Sequence, residues 1–403
     1  MDKRGIEMKA CNDNLLRGVA VASFSLLLAG LPQKALATAA DTVFMTFIQD
    51  LCGGTVYTQP PGTVWDTTSL SAMCVRATGA GNVGVPNVAI GAGGGGATRN
   101  KKVFREQMED EREKSGGKGA SADGGRWGLL VAPQFGKSRR IDTQLEHGFE
   151  SELKGLSIGL DYRFSDSFVT GVMAGYVRDS VSYFNSAGTL KTSSSSLTVY
   201  GTWLPTESIA VDGYLGYGKN GLDSQRRVVY GLIDGTSSGN FTGKQLMGGL
   251  SIGYQMDLGE VSVSPFIGLD SIKSTTAEYN ETGTTGLELH MRDSKSLSTT
   301  SSVGVQVNTT HNFQWGSLSP SVRVAAVHEY QNNSQVRPVE LVSAPGVGIS
   351  IQTDSPDRNY LDASAGMVAG LNGGTQVFLN YEVRAQDALL KSWALNAGML
   401  AEF

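Results

Sequence analysis

Gly155-Leu156-Ser157-Ile158-Gly159-Leu160-Asp161-Tyr162-Arg163-Phe164, followed by Ser165-Asp166-Ser167 and then Phe168, is the stretch that decides the fold. Leu156, Ile158, Leu160, Tyr162 and Phe164 alternate with Ser157, Gly159, Asp161 and Arg163. Alternation of period two sends one set to each face of a β-strand, here one apolar face and one small or polar face. The pattern returns at 248–256, 361–369 and 393–403. Working outward from it, strands are expected near 126–135, 153–164, 168–178, 191–203, 208–218, 241–256, 260–271, 297–308, 316–329, 359–370, 374–383 and 391–403. Most are about 10–13 residues long, against a usual mode of 5–6.

The connections between these strands alternate in length. Ser165-Asp166-Ser167, Pro205-Thr206-Glu207, Asp257-Leu258-Gly259 and Asn372-Gly373 are tight turns, whereas 136–152, 219–240, 272–296 and 330–358 read as long polar loops. An even strand count, one rim of turns and one rim of loops is the layout of a barrel that crosses an outer membrane. Trp127, Tyr162, Phe164, Phe168, Trp203 and Trp393 fall near strand ends, where an interfacial aromatic girdle sits. Composition agrees: 52 of 403 residues are Gly, 18% are charged and the net charge is −5. That balance argues against a nucleic-acid partner, which calls for a basic field. After residue 40 no run approaches the ~20 apolar residues of a helical span.

Upstream, residues 1–37 read as a signal peptide. Lys3, Arg4, Lys9 and Arg17 precede the apolar run Gly18–Leu31 and a small-x-small site at Ala35-Leu36-Ala37. Residues 38–97 are short, irregular and Gly-rich. Within them only Thr42–Leu51 reads as a helix, with Phe44, Phe47, Ile48 and Leu51 at i, i+3, i+4 and i+7. Export leaves Cys52 and Cys74 as the two cysteines of the mature chain, and an oxidising compartment favours their pairing. Gly91–Gly96 reads as a tether. Residues 98–125 hold a helix over Thr98–Ser115 and a connection. That helix is polar nearly all round, with Lys101, Lys102, Arg105, Glu106, Glu109, Asp110 and Glu111 along it. Such a helix suits a polar tunnel, and the alternative is a solvated linker.

At these residues the chain resembles the autotransporters, the self-secreting surface proteins of Gram-negative bacteria. The likeness covers 126–403 and rests on 155–168, Leu197-Thr198-Val199-Tyr200-Gly201-Thr202-Trp203 and Val211-Asp212-Gly213-Tyr214-Leu215-Gly216-Tyr217-Gly218. Asn396, Gly398, Ala401 and Phe403 resemble the terminal signal read by the barrel-assembly machinery. The resemblance implies an all-β, twelve-stranded antiparallel transmembrane β-barrel with a linker α-helix in the pore. The N-terminal segment is a passenger far shorter than is usual for the family. Periplasmic chaperones, the assembly machinery and outer-membrane lipid are the expected partners of a monomeric barrel whose loops face the cell surface.

Chemistry is not expected. Residues 41–97 contain no His, so no Ser–His–Asp triad can form within the passenger. His147 and His290 map to outer loops, His328 to the outer rim and His311 to an inner turn; a loop-borne protease would draw on Glu146, Asp293, Glu329 or Asp357. No His/Cys spacing suits a metal, and no cofactor is expected. Some relatives cut themselves in the pore at an Asn, and Asn100 with lumen-facing Asp161, Asp212, Asp270 and Glu382 would serve such a step. The flanking residues depart from that motif, so an uncut segment is the expectation. The function read here is a barrel that translocates and anchors its own short N-terminal segment, with loop adhesin or small-solute pore as the alternatives.

Overall fold

The alternation carries through to the fold. A computed structural model describes residues 39–53, 59, 61–77, 125–331, 333–355 and 357–403. Strands β1 (Trp127–Arg140), β2 (Phe149–Ser165), β3 (Phe168–Tyr183), β4 (Gly188–Thr206), β5 (Ile209–Tyr230) and β6 (Ile233–Tyr254) form the first half of the barrel. The second half is β7 (Val261–Thr276), β8 (Ser294–Thr309), β9 (Gly316–Glu329), β10 (Asn359–Leu371), β11 (Thr375–Ala385) and β12 (Leu390–Glu402). Chain neighbours pair antiparallel throughout. β12 returns to β1, so the sheet closes and keeps no free edge in the wall. Short strands Met256–Leu258 and His311–Phe313 sit in two of the turns and complete a 14-stranded sheet.

Burial shows which face is which. On β2, Ser157 is fully buried and Asp161 is 5% exposed, whereas Leu156, Ile158 and Leu160 are 43, 47 and 38% exposed. Apolar residues outside and polar residues inside is the reverse of a soluble domain, and it is what a hydrocarbon solvent selects. No described helix is long and apolar enough to cross a membrane, and a closed barrel crosses with its strands.

The wall changes chemistry partway up. On β5 the outward residues run from exposed Leu215 and Tyr217 to exposed Lys219, Asp223, Gln225 and Arg227. The inward residues run from Asp212 and Asn220 to buried Leu222, Val228 and Tyr230. Below this level the outer face meets lipid; above it the outer face meets water and the barrel acquires an apolar interior. Strands β5 and β6 are 22 residues each. At ~3.3 Å per residue they far overshoot the ~25 Å apolar band.

The expected polar loop at 219–240 is therefore wrong. It is the top of the β5–β6 hairpin, paired without interruption from Ile209↔Tyr254 to Tyr230↔Ile233. Its turn is closed by Gly231, whose φ of 58° is open to glycine at little cost. The strands likewise extend into 136–152, leaving only 141–148 as the connection. Loops 272–296 and 330–358 are not featureless: Ala344–Gln352, Val336–Leu341, Leu289–Met291 and Tyr279–Asn280 form a second sheet in that order. The N-terminal segment is also more regular than expected. Helix α1 spans Ala39–Cys52 and contains the helix expected over Thr42–Leu51, whereas α2, Thr67–Ala77, is not among the expected elements.

At the rim of short turns Trp127 packs on Tyr162, and Tyr162 on Phe164, both at 4.8 Å between ring centres. Phe403 closes the seam there: its N–H donates to Trp127 O at 3.0 Å and its carbonyl accepts from Trp127 N at 3.2 Å. Asn396 is fully buried toward the lumen, and Phe403 is 66% exposed on the lipid side. Gly398 faces the Phe378 ring so closely that a Cβ would lie 2.3 Å from it, which accounts for the small residue there. Since the Phe403 side chain is mostly uncovered, Phe403→Ser should remove only about 1–3 kcal/mol of burial. We expect slowed assembly with normal heat resistance of the barrels that do form, read as folded yield over time; wild-type yield and rate would refute a recognition role.

Candidate functional site

The loop rim carries an apolar core that the barrel wall alone does not need. Phe44, Phe47 and Ile48 of α1 and Met73 and Ala77 of α2 are buried against Val228, Tyr230 and Ile233 at the β5–β6 tip. Leu287, Leu289 and Met291 join them from the β7–β8 loop, and Val339, Leu341, Ala344, Val347 and Ile351 from the β9–β10 loop. Each Phe, Ile or Met so buried contributes roughly 1.5–3 kcal/mol relative to exposure. The two helices thus form a cap on the second sheet.

Local sequence explains both helices. In α1 the apolar stripe Phe44, Phe47, Ile48 supplies the buried face, and the helix stops where Gly53 N–H donates to Gln49 O at 2.7 Å. In α2, Asp66 is the N-cap: its carboxylate accepts from Thr68 N at 3.2 Å, Ser69 N at 3.0 Å and the Ser69 hydroxyl at 2.6 Å. The missed signal was there: this N-cap, then Leu70, Met73, Cys74 and Ala77 at helical spacing. Thr67, Thr68, Ser69, Ser71 and Val75 hid it, because those residue types are poor helix formers. The expected disulfide joins Cys52 to Cys74 and ties the end of α1 to α2. Closing a loop with a sequence separation of 22 is worth about 3 kcal/mol by chain entropy.

Polar contacts fix the cap's orientation. Leu232 N–H donates to Arg76 O at 2.8 Å, Asp66 N–H to Ser343 O at 2.9 Å, and Trp65 Nε1 to Pro345 O at 3.3 Å. Beneath the cap lies a buried ion pair. Arg226 Nε donates to Glu281 Oε1 at 3.0 Å, Arg226 Nη2 donates to Leu287 O at 2.7 Å, and Glu281 Oε2 accepts from Leu289 N at 3.0 Å. A second cluster ties the first loop to the fifth: Arg140 Nη2 donates to Glu146 Oε2 at 2.8 Å and to Asp354 Oδ2 at 2.6 Å.

Two carboxylates, Asp66 of the cap and Glu340 of the second sheet on which it sits, are held below their ordinary range. The Ser69 hydroxyl and amide do this for Asp66. Burial pushes Glu340 up, but the Gly346 N–H and the Arg292 guanidinium outweigh it and bring it down. A carboxylate with a lowered folded pKa stabilises the fold above its unfolded pKa, and that stability is lost as pH falls through the folded value. Acidification from neutral pH to below about 4 should therefore loosen the cap. Protease cleavage between α1 and α2 reads this out; unchanged protection at pH 3 would count against it.

The lumen holds the acidic residues expected there. Asp161 accepts from Tyr200 Oη at 3.2 Å, Asp270 from Tyr214 Oη at 2.8 Å, and Asp212 from Thr202 at 3.1 Å and Ser251 at 3.1 Å. Glu382 is buried on the same side, and Arg323 lies 3.5 Å over the Phe266 ring. The histidines are dispersed. His290 and His328 each bond an Asn, His147 has Asp142 at 3.9 Å, and His311 lies in an inner turn. Among the described residues no group of three could hold a metal ion. The expected signal peptide, the Gly91–Gly96 tether, Asn100 and the pore-helix residues Lys101, Lys102, Arg105, Glu106, Glu109 and Glu111 lie outside the described residues.

Residues 130–382 match the autotransporter β-domain model. The chain belongs to the autotransporter β-domain family. Its barrel is similar to the translocator domain of the autotransporter NalP from Neisseria meningitidis, at 13% identity and a TM-score of 0.56, covering 75% of this chain and 98% of that one. It is also similar to the β domain of the Bordetella autotransporter BrkA, at 18% identity and a TM-score of 0.51, covering 68% and 99%. At these identities the likeness is one of fold. Outer membrane protein A of Rickettsia conorii is 22% identical over 294 residues, 67% of this chain and 14% of that protein. Outer membrane protein B of Rickettsia japonica is 22% identical over 218 residues, 52% and 13%. The chain thus spans about one seventh of the length of these curated relatives. This autotransporter barrel is an outer-membrane protein.

Proposed function

We propose that this autotransporter carries its own N-terminal segment outward and keeps it, uncut, as a disulfide-braced cap that presents an interaction surface to the cell exterior. The observation that carries the reading is topological. α1 and α2 are buried on the loop rim, yet β1 starts at the opposite rim, where Trp127 pairs with Phe403. Residues 78–124 must join the two, and a run as charged as 98–115 has no place in lipid. In this reading the run crosses through the lumen, whose acidic and basic side chains suit it. Eighteen residues of helix at 1.5 Å each give about 27 Å, close to the ~25 Å band. The reading assigns no catalytic step. Export by a signal peptide and folding by the assembly machinery belong to it.

An epitope inserted at Gly62, which lies in open space, tests display. Antibody binding to intact cells is expected, and binding only after lysis would sink the reading. The small-solute alternative is separated by conductance. The intact mature chain should conduct little, and deletion of residues 39–115 should raise single-channel conductance severalfold. Equal conductance would show that the segment does not fill the pore.

A further inference from the structure

On the outer surface of the wall, just above the apolar band, lysines line up across four adjacent strands. Lys219 of β5 stands directly opposite Lys244 of β6. Lys244 pairs with Thr275 of β7, which in turn pairs with Lys295 of β8. Lys273 of β7 sits one step lower, opposite Leu246 and Leu297. All four lysines are exposed. Tyr217, Leu246 and Leu297, on the same face one step nearer the membrane, are exposed apolar residues of the lipid-facing band.

Like charges directly opposite on antiparallel strands repel. Elsewhere on this rim the wall answers such charges: Lys137 pairs with Glu152 at 2.5 Å and Arg139 with Glu150 at 3.2 Å. Among the described residues no carboxylate pairs with Lys219, Lys244, Lys273 or Lys295. The row crosses three inter-strand gaps, about 15 Å. It is continuous with the lipid-facing surface and lies at the height where headgroups meet water.

We propose that this row binds the phosphate groups of phosphorylated lipid headgroups in the outer leaflet, and that these anions offset the lysine repulsion. It is a lateral lipid site, separate from the cap and the lumen. Each basic residue near an anionic lipid surface is worth about fivefold in binding.

The test uses the full mature chain in nanodiscs of phosphatidylcholine doped with diphosphoryl lipid A, or with the same lipid after dephosphorylation. Retained lipid is counted by native mass spectrometry after release. Wild type should retain the phosphorylated lipid and lose the dephosphorylated one. The variant K219Q/K244Q/K273Q/K295Q should retain it less by roughly several hundredfold. Arg227→Gln, higher on the same wall and paired with Asp234, should retain it as wild type does. Heat-dependent gel mobility verifies that the variants are folded; if the quadruple variant is not, the wild-type comparison of the two lipids decides alone. Equal retention of phosphorylated and dephosphorylated lipid, or equal retention by variant and wild type, would overturn the proposal. Displacement by inorganic phosphate alone would assign the row to a free anion and overturn it as a lipid site.

Discussion

Ile48→Asp should strip the cap from a barrel that stays closed. Ile48 is fully buried in the apolar core between α1, the β5–β6 tip and the second sheet. Burying an unpaired carboxylate there costs several kcal/mol, on top of the roughly 1.5–3 kcal/mol of lost apolar burial. The helices cover one end of the barrel, whereas the wall is held by its own continuous ladder, so the damage stays local. Limited proteolysis should cut the N-terminal helices within minutes in the variant and slowly in wild type. Heat-dependent gel mobility of the barrel should not change. A variant that fails to form a barrel would show that the cap is needed to fold the wall, and persistent protection would show that Ile48 does not hold the cap.

Arg226→Met should open the β7–β8 loop almost as effectively. Both members of the pair are 5% exposed, so removal of the arginine leaves the Glu281 carboxylate buried without its cation. The expected cost is about 3–5 kcal/mol. The double variant Arg226→Met/Glu281→Leu removes both charges and should recover part of it. Recovery stays incomplete because Leu287 O and Leu289 N lose the partners they have in wild type, each at about 1–3 kcal/mol. Hydrogen exchange of residues 277–293 measures the opening. A double variant no more protected than Arg226→Met would show that the backbone bonds, not the charge pair, hold the loop.

Two readings that failed, a polar loop at 219–240 and an irregular segment around α2, share one cause. Both segments take their regularity from what they pack against. Between 219 and 240 the chain carries Lys219, Asp223, Arg226, Arg227 and Asp234 among several glycines, a composition that reads as loop. Above the membrane the outward face meets water, so its residues are polar, and the inward face is mixed because it holds both an ion pair and the cap's core. Alternation persists there with its chemical meaning reversed, and only the position of lipid and cap reveals it. α2 is likewise made of weak helix formers stabilised by burial of Met73 and Ala77 and by the bond to Cys52.

What the sequence by itself determined is the barrel. Side-chain period two is a local property, so Leu156, Ile158 and Leu160 on one face and Ser157, Gly159 and Asp161 on the other could be assigned without any partner strand. Twelve strands, the aromatic girdle and the lumen-facing acids followed from it, while helical spacing marked the core of α1 and export marked the Cys52–Cys74 pair. Tertiary structure alone decided the cap. Arg226 and Glu281 are 55 residues apart, and Trp65 and Pro345 are 280 apart. Contacts over such separations depend on where closure of the barrel brings the loops, and no periodicity along the chain encodes that meeting.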